Sequence, residues 1–205
     1  MLDVTRRFAV LSVALVALGA RPAGADATWV PSAEGLDAEQ MQERMTTYFA
    51  AEQRTGVFAG SLGLLSVGAG IGLWASDGKL ERGVAVPLLV MGALQVALGV
   101  ALSVRTPRQV KRLEAQLAEA PAEFATAERE RMHRVNSRWW VYRAVEVSVA
   151  FSGILVAGAG GATGTDAAVG VGLALVGEAL VMLLIDHFAE ARAGVYESAL
   201  LGFRF

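Results

Sequence analysis

Cysteine is missing from the 205-residue chain. That excludes disulfides, thiolate zinc sites, iron–sulfur clusters and a cysteine nucleophile, and it is compatible with either side of a membrane. Charge is thin too: Asp, Glu, Lys and Arg make up 19% of residues, against about 25% in ordinary soluble domains. The net charge of −2 gives no reason to expect nucleic acid as a partner. Of the two histidines, His187 follows Asp186 near the end of an apolar run and His133 lies in a charged stretch, and neither has a second ligand at metal spacing. No metal or cofactor is therefore expected. No cluster of His, Asp and Ser converges on one level, so no catalytic residues are assigned and the chain is not expected to be an enzyme. The run 158–164, GAGGATG, fits neither G-x-G-x-x-G nor a P-loop, and no lysine follows it. The final Phe203-Arg204-Phe205 resembles the terminal aromatic of outer-membrane barrels, but no alternating strands accompany it.

Apolar residues and glycine are abundant instead. The chain is 54% hydrophobic with 23 glycines, and its mean hydropathy is +0.46. Aromatics supply only 7%, so the apolar content is mainly Ala, Val and Leu. Residues 56–75, GVFAGSLGLLSVGAGIGLWA, carry no charge over the roughly 20 residues that an α-helix needs to cross hydrocarbon. Three similar stretches follow at about 83–104, 139–162 and 167–188. The fold class predicted is all-α: a membrane protein of four antiparallel transmembrane helices, arranged as two αα-hairpins.

The chain opens on MLDVTRR, an apolar run of 13 residues and the small-residue stretch RPAGADA. That is the layout of an export signal, here 1–25, with A-x-A cleavage sites that start the mature chain at Asp26 or Thr28. An uncleaved signal anchor is the alternative. The bundle then occupies 26–205, with extramembrane helices at about 37–55, 107–138 and 189–200, all on one face. Asp37 and Gln40 have the spacing of a capping box, and Leu36 can staple onto Met41. Ser76-Asp77-Gly78-Lys79 and 160–166 read as tight turns. Thr106-Pro107 reads as a helix restart, and Ala120-Pro121 as a helix end. The halves resemble a tandem repeat: Glu43-Arg44-Met45 recurs as Glu130-Arg131-Met132, and Gly92 with Val96 corresponds to Gly177 with Val181.

Two orientation signals conflict. An export signal puts the extramembrane helices outside the cytoplasm, in the periplasm of a bacterial-type inner membrane. The positive-inside rule opposes this, because eight arginines and lysines between Arg105 and Arg138 face only Lys79 and Arg82 in the opposite turns. The export signal is the more specific, so the periplasmic orientation is expected.

The polar residues inside the apolar stretches form the candidate site. Glu178 lies mid-span, where an ionisable group costs a few kcal/mol unless it faces the bundle interior with a partner. At 1.5 Å per residue, Gln95 falls at similar depth, so a Glu178–Gln95 hydrogen bond is expected, either as an interhelical clamp or as a proton- or ion-binding carboxylate. Arg143 is expected to pair with Asp186 or Glu146 near the span's outer end, beside an interfacial belt of Trp139, Trp140 and Tyr142. Gly56, Gly60, Gly68 and Gly72 make a small-xxx-small packing stripe, and Ala144, Ser148, Ser152 and Gly160 continue the theme. The function expected is a structural or protein-interaction role in the cell envelope, with the lipid bilayer and either its own copies or another envelope protein as partners. A small channel or transporter subunit using Glu178 and Gln95 is the alternative.

Overall fold

The computed structural model describes residues 35–205, so the export signal expected at 1–25 lies outside the described residues. Five α-helices follow one another: α1 (Ala38–Trp74), α2 (Lys79–Glu119), α3 (Pro121–Asn136), α4 (Trp139–Thr163) and α5 (Asp166–Gly202). Among the described residues there is no strand, only an isolated bridge between Leu36 and Phe203. Helices α1, α2, α5 and the α3–α4 unit each contain a stretch long and apolar enough to cross a membrane.

Local chemistry fixes where these helices begin and end. Asp37 Oδ1 accepts the Gln40 amide at 2.8 Å, and Gln40 Oε1 accepts the Asp37 amide at 3.2 Å, so two of the orphan donors at the start of α1 are satisfied reciprocally. Leu36 and Met41 are both buried in one core, which completes the staple. Ala120 sits at φ −145° before Pro121 and ends α2, since a residue preceding proline is pushed out of helical geometry. Gly164 closes α4 at φ +68°, a left-handed conformation that glycine adopts without a Cβ clash.

Thr106-Pro107 is no restart. Helix α2 runs unbroken through both Pro87 and Pro107. An interior proline forfeits one backbone hydrogen bond, at about 3 kcal/mol, and packing on both sides of Pro107 offsets that loss. Toward the apolar end, Gly99 lies against the backbone of Gly56 and Gly60. Toward the other end, Leu113 and Leu117 are buried in the core.

The helices pack in two zones. In the apolar zone α2 lies between α1 and α5, which also touch each other, and α4 packs on α5. Close approach sets this zone's geometry. A Cβ on Gly63 would stand 2.5 Å from Gly92 O and 2.7 Å from Val96 N, and a Cβ on Gly153 would stand 2.7 Å from Gly172 O. Large side chains here point outward, among them Leu64 (64% exposed), Leu94 (60%) and Phe151 (60%), as suits helices surrounded by an apolar medium. The other zone is a compact head. There the extensions of α1, α2 and α5 join α3 around Met41, Met45, Phe49, Phe124, Met132 and Leu200, each fully buried. The ends of the described chain are clasped together at its tip, where Leu36 N–H donates to Gly202 O at 2.9 Å and Arg204 N–H to Leu36 O at 3.0 Å.

The two halves diverge in detail. Gly92 is pressed against Gly63 and Ser66, whereas a Cβ on its counterpart Gly177 would meet nothing within 4 Å. Helix α1 carries its charged segment without a break, but α3 and α4 are separated by a turn at Ser137 and Arg138.

Candidate functional site: a polar clamp among three apolar helices

Gly63 and Gly92 bring the α1 and α2 backbones so close that the next polar side chains along each helix, Ser66 and Gln95, stand together. Helix α5 supplies the third member. Ser66 Oγ donates to Glu178 Oε1 at 2.9 Å, and Gln95 Nε2 donates to Glu178 Oε2 at 2.6 Å. Gln95 is 3% exposed and Glu178 6%. Each carboxyl oxygen thus takes one donor from a different helix, and the carboxyl group ties α1, α2 and α5 together at mid-depth. Gln95 Oε1 is buried with no hydrogen-bond partner among the described residues, which leaves one acceptor free at the centre of the cluster. Gln95 and Glu178 come together as their matching depth suggests. Ser66 escapes a search for ionisable groups, and its only signal is a hydroxyl one turn beyond a glycine that α2 touches.

A second polar group lies nearer the head, between α4 and α5. Arg143 was expected to pair with Asp186 or Glu146, but its ion pair is with Glu190, about one turn farther along α5. The long guanidinium reaches toward the wetter end of the helix, as arginine does when its stem lies on apolar surface. Glu146 and Asp186 instead bring their carboxyl groups to face one another. Beside them the Trp139 ring packs edge-on to Tyr142 at 5.7 Å, and its Nε1 donates to Asn136 Oδ1 at 3.1 Å. Trp140 is 70% exposed.

The glycine stripe divides in two. Gly56 lies against Leu102 and Gly60 against Gly99, while a Cβ on Gly68 or Gly72 would meet nothing within 4 Å among the described residues. Contacts within the chain therefore use Gly63 and Gly70, outside the expected spacing, in place of the stripe's far half. On α4, Ala144, Ser148 and Ser152 line an open groove of about 440 Å³ floored by Leu175.

A third polar cluster, in the head, has no counterpart in the sequence reading. Glu128, 2% exposed, accepts two hydrogen bonds from Arg131 at 2.7 Å each and a third from the Tyr196 hydroxyl at 3.1 Å. Arg131 also lies over the Phe49 ring, 5.3 Å from its centroid, and Tyr48 stacks on Tyr196 at 4.5 Å. Burial pushes the Tyr48 hydroxyl up to about 12 and the Tyr196 hydroxyl higher still, so both stay protonated. Burial alone would lower the Arg131 guanidinium, but its bonds to Glu128 hold it above its usual value. The arrangement is a largely buried network centred on Glu128, with Arg129 alongside donating to the last carbonyls of the α5 end, Leu200 O at 2.9 Å and Phe203 O at 3.2 Å.

Glu52 is the head's weak point. Its Oε2 is buried without a hydrogen-bond partner among the described residues, and burial raises its carboxyl above the ordinary range against the pull of Arg131, Arg105 and Arg192. An acid with a raised folded-state value binds more protons folded than unfolded, so its contribution to stability falls as pH climbs above the ordinary carboxylate value. Replacing Glu52 with glutamine is expected to raise the thermal midpoint in detergent at pH 7 and to leave it unchanged at pH 4. An equal shift at both pH values would show that ionisation is not the cause.

Among the described residues no group of His, Cys, Asp and Glu has the arrangement of a metal site. The chain matches no known protein family, no curated protein and no solved structure.

Proposed function

We propose that the chain is a non-enzymatic structural or interaction protein of a cell envelope, built as four antiparallel transmembrane helices that carry a rigid head. The observation that supports this most is continuity: α1, α2 and α5 each run without a break from the apolar zone into the head, where they share one core. Such a unit holds a fixed surface at a fixed height above a bilayer. Gly68 and Gly72 on α1 and the groove on α4, both uncovered among the described residues, offer close-packing faces for a second copy or another envelope protein. A photo-crosslinker placed at Phe151 or Gly72 should join the chain to another polypeptide in native membranes. Crosslinks to lipid alone, together with a monomeric protein–detergent complex, would defeat the proposal.

We place the protein in a bacterial-type inner membrane with the head in the periplasm, after cleavage of the export signal. The chain has no cysteine, and Ala118 is exposed on the head. A single cysteine at Ala118 should therefore react with a membrane-impermeant thiol reagent in intact, outer-membrane-permeable cells. Labelling only after the inner membrane is opened would reverse the orientation.

The Glu178 cluster favours a second reading, as the polar site of a small channel or transporter subunit. As a clamp, Glu178→Leu should cost on the order of 1 kcal/mol for each interhelical hydrogen bond removed, while Glu178→Gln should keep most of the stability. As a conducting site, Glu178→Gln should change proton or ion flux in proteoliposomes. Unchanged flux would remove this second reading and leave the clamp.

A further inference from the structure

At the junction of the two zones α1, α2 and α5 each carry an arginine at one height, and a fourth precedes α4. Arg54 on α1 and Arg105 on α2 are brought level by Gly56, which lies against Leu102. Arg192 on α5 is tied to that level by its Nη2, which donates to Thr55 Oγ1 at 2.7 Å. Arg138, immediately before α4, is held near it because Asn136 Nδ2 donates to Glu197 Oε2 at 2.5 Å. By helical rise, the four sit within about one turn of each other along the bundle axis.

These arginines are poorly neutralised. Arg54, Arg105 and Arg138 are exposed, and the ion pairs among the described residues involve Arg82, Arg131, His133 and Arg143 instead. Arg105 and Arg192 share the field of one carboxyl, Glu52, and the nearby Glu190 is engaged by Arg143. At the opposite end of the apolar helices the balance differs, since Arg82 pairs with Asp77 at 3.6 Å and Glu81 and Asp166 stand in the first turns of α2 and α5. Among the described residues Arg54, Arg105 and Arg138 therefore present unpaired guanidinium groups at one end of the apolar zone, beside the exposed Trp140 and outward of the facing carboxyls of Glu146 and Asp186.

We propose that Arg54, Arg105, Arg138 and Arg192 form a collar that binds the phosphates of anionic phospholipid headgroups. A guanidinium offers a planar fork of donors that matches a phosphate bidentately, and the collar stands where headgroups lie if the four apolar helices span a bilayer, the reading on which this inference rests. Each basic residue close to an anionic surface contributes about fivefold in affinity, so three exposed arginines suffice for a marked preference over zwitterionic lipid.

The test uses the full chain purified in mild detergent with equal amounts of phosphatidylglycerol and phosphatidylcholine, and measures retained lipid by mass spectrometry. The native protein should retain phosphatidylglycerol at least fivefold over phosphatidylcholine, with the preference falling at high salt. The triple variant Arg54→Gln, Arg105→Gln, Arg138→Gln should lose it, while Lys79→Gln with Arg82→Gln at the other end should keep it. Displacement of the lipid by millimolar glycerol phosphate would assign the arginines to a soluble phosphate compound and overturn the collar, as would equal retention of the two lipids or an unaffected triple variant. A chain that washes out of membranes at alkaline pH overturns the bilayer reading and the collar together. One that stays in the membrane and shows no lipid preference overturns the collar alone.

Discussion

Replacing Arg131 with methionine is expected to destabilise the protein by about 3–5 kcal/mol, the cost of stranding one member of a buried ion pair. For a chain of this size that lowers the thermal midpoint by about 10 °C. The reason lies in Glu128, which is 2% exposed and takes two of its three hydrogen bonds from Arg131. Methionine fills much of the same volume over Phe49 but supplies no donor, so an acceptor is left in the head with only the Tyr196 hydroxyl. The double variant Glu128→Leu, Arg131→Met should recover much of the loss, because replacing both partners by apolar groups removes the uncompensated charge. Arg131→Lys should fall between, since an ammonium cannot reproduce the bidentate fork. Urea or thermal unfolding in detergent, followed by circular dichroism, measures all three. A single variant within 1 kcal/mol of the native protein would mean that water reaches Glu128.

The second large effect separates glycines that look alike. Gly63→Val should destabilise the apolar zone by about 3 kcal/mol, the upper part of the range for overpacking, because the new Cβ would stand 2.5 Å from Gly92 O and 2.7 Å from Val96 N. Those atoms are backbone, so relief requires α1 and α2 to move apart, and that would draw Ser66 and Gln95 away from Glu178. Gly68→Val, where nothing lies within 4 Å, should change stability by no more than about 0.5 kcal/mol. If a neighbouring polypeptide packs on that face, Gly68→Val should weaken association while the monomer stays folded. Equal destabilisation by both substitutions would show that the close approach of α1 and α2 does not hold the zone together.

The sequence is more informative about the helices than about what joins them. Local signals of definite geometry survive into the structure: the Asp37–Gln40 box and the break at Ala120 each depend on neighbours in sequence, whereas the turn read at 160–166 shrinks to Gly164 and Thr165 because α4 runs on to Thr163. The meeting of Gln95 with Glu178 is also legible, because depth along a helix is linear in residue number. Rotation about the helix axis is not linear in that way. Gly63 and Gly68 differ by five residues, enough to put one against α2 and the other outward, and no spacing rule tells which face α2 takes. The Arg143 partner is missed for a related reason, since Asp186 and Glu190 lie four apart on one face and side-chain reach decides between them. The Glu128–Arg131–Tyr196 network is hidden because Glu128 and Arg131 look like ordinary surface charges, and Tyr196 like an ordinary aromatic, until α5 folds back over α3.

Helix α5 meets α1 at three stations, with Tyr196 on Tyr48, Arg192 on Thr55 and Glu178 on Ser66. The outermost and innermost stand about 27 Å apart along one uninterrupted rod. A stiff rod pinned at both ends holds the head and the polar clamp in one register. Tyr196 and Glu178 therefore keep a fixed spacing along the axis, so the head cannot slide along α1 without breaking the hydrogen bond between Glu178 and Ser66.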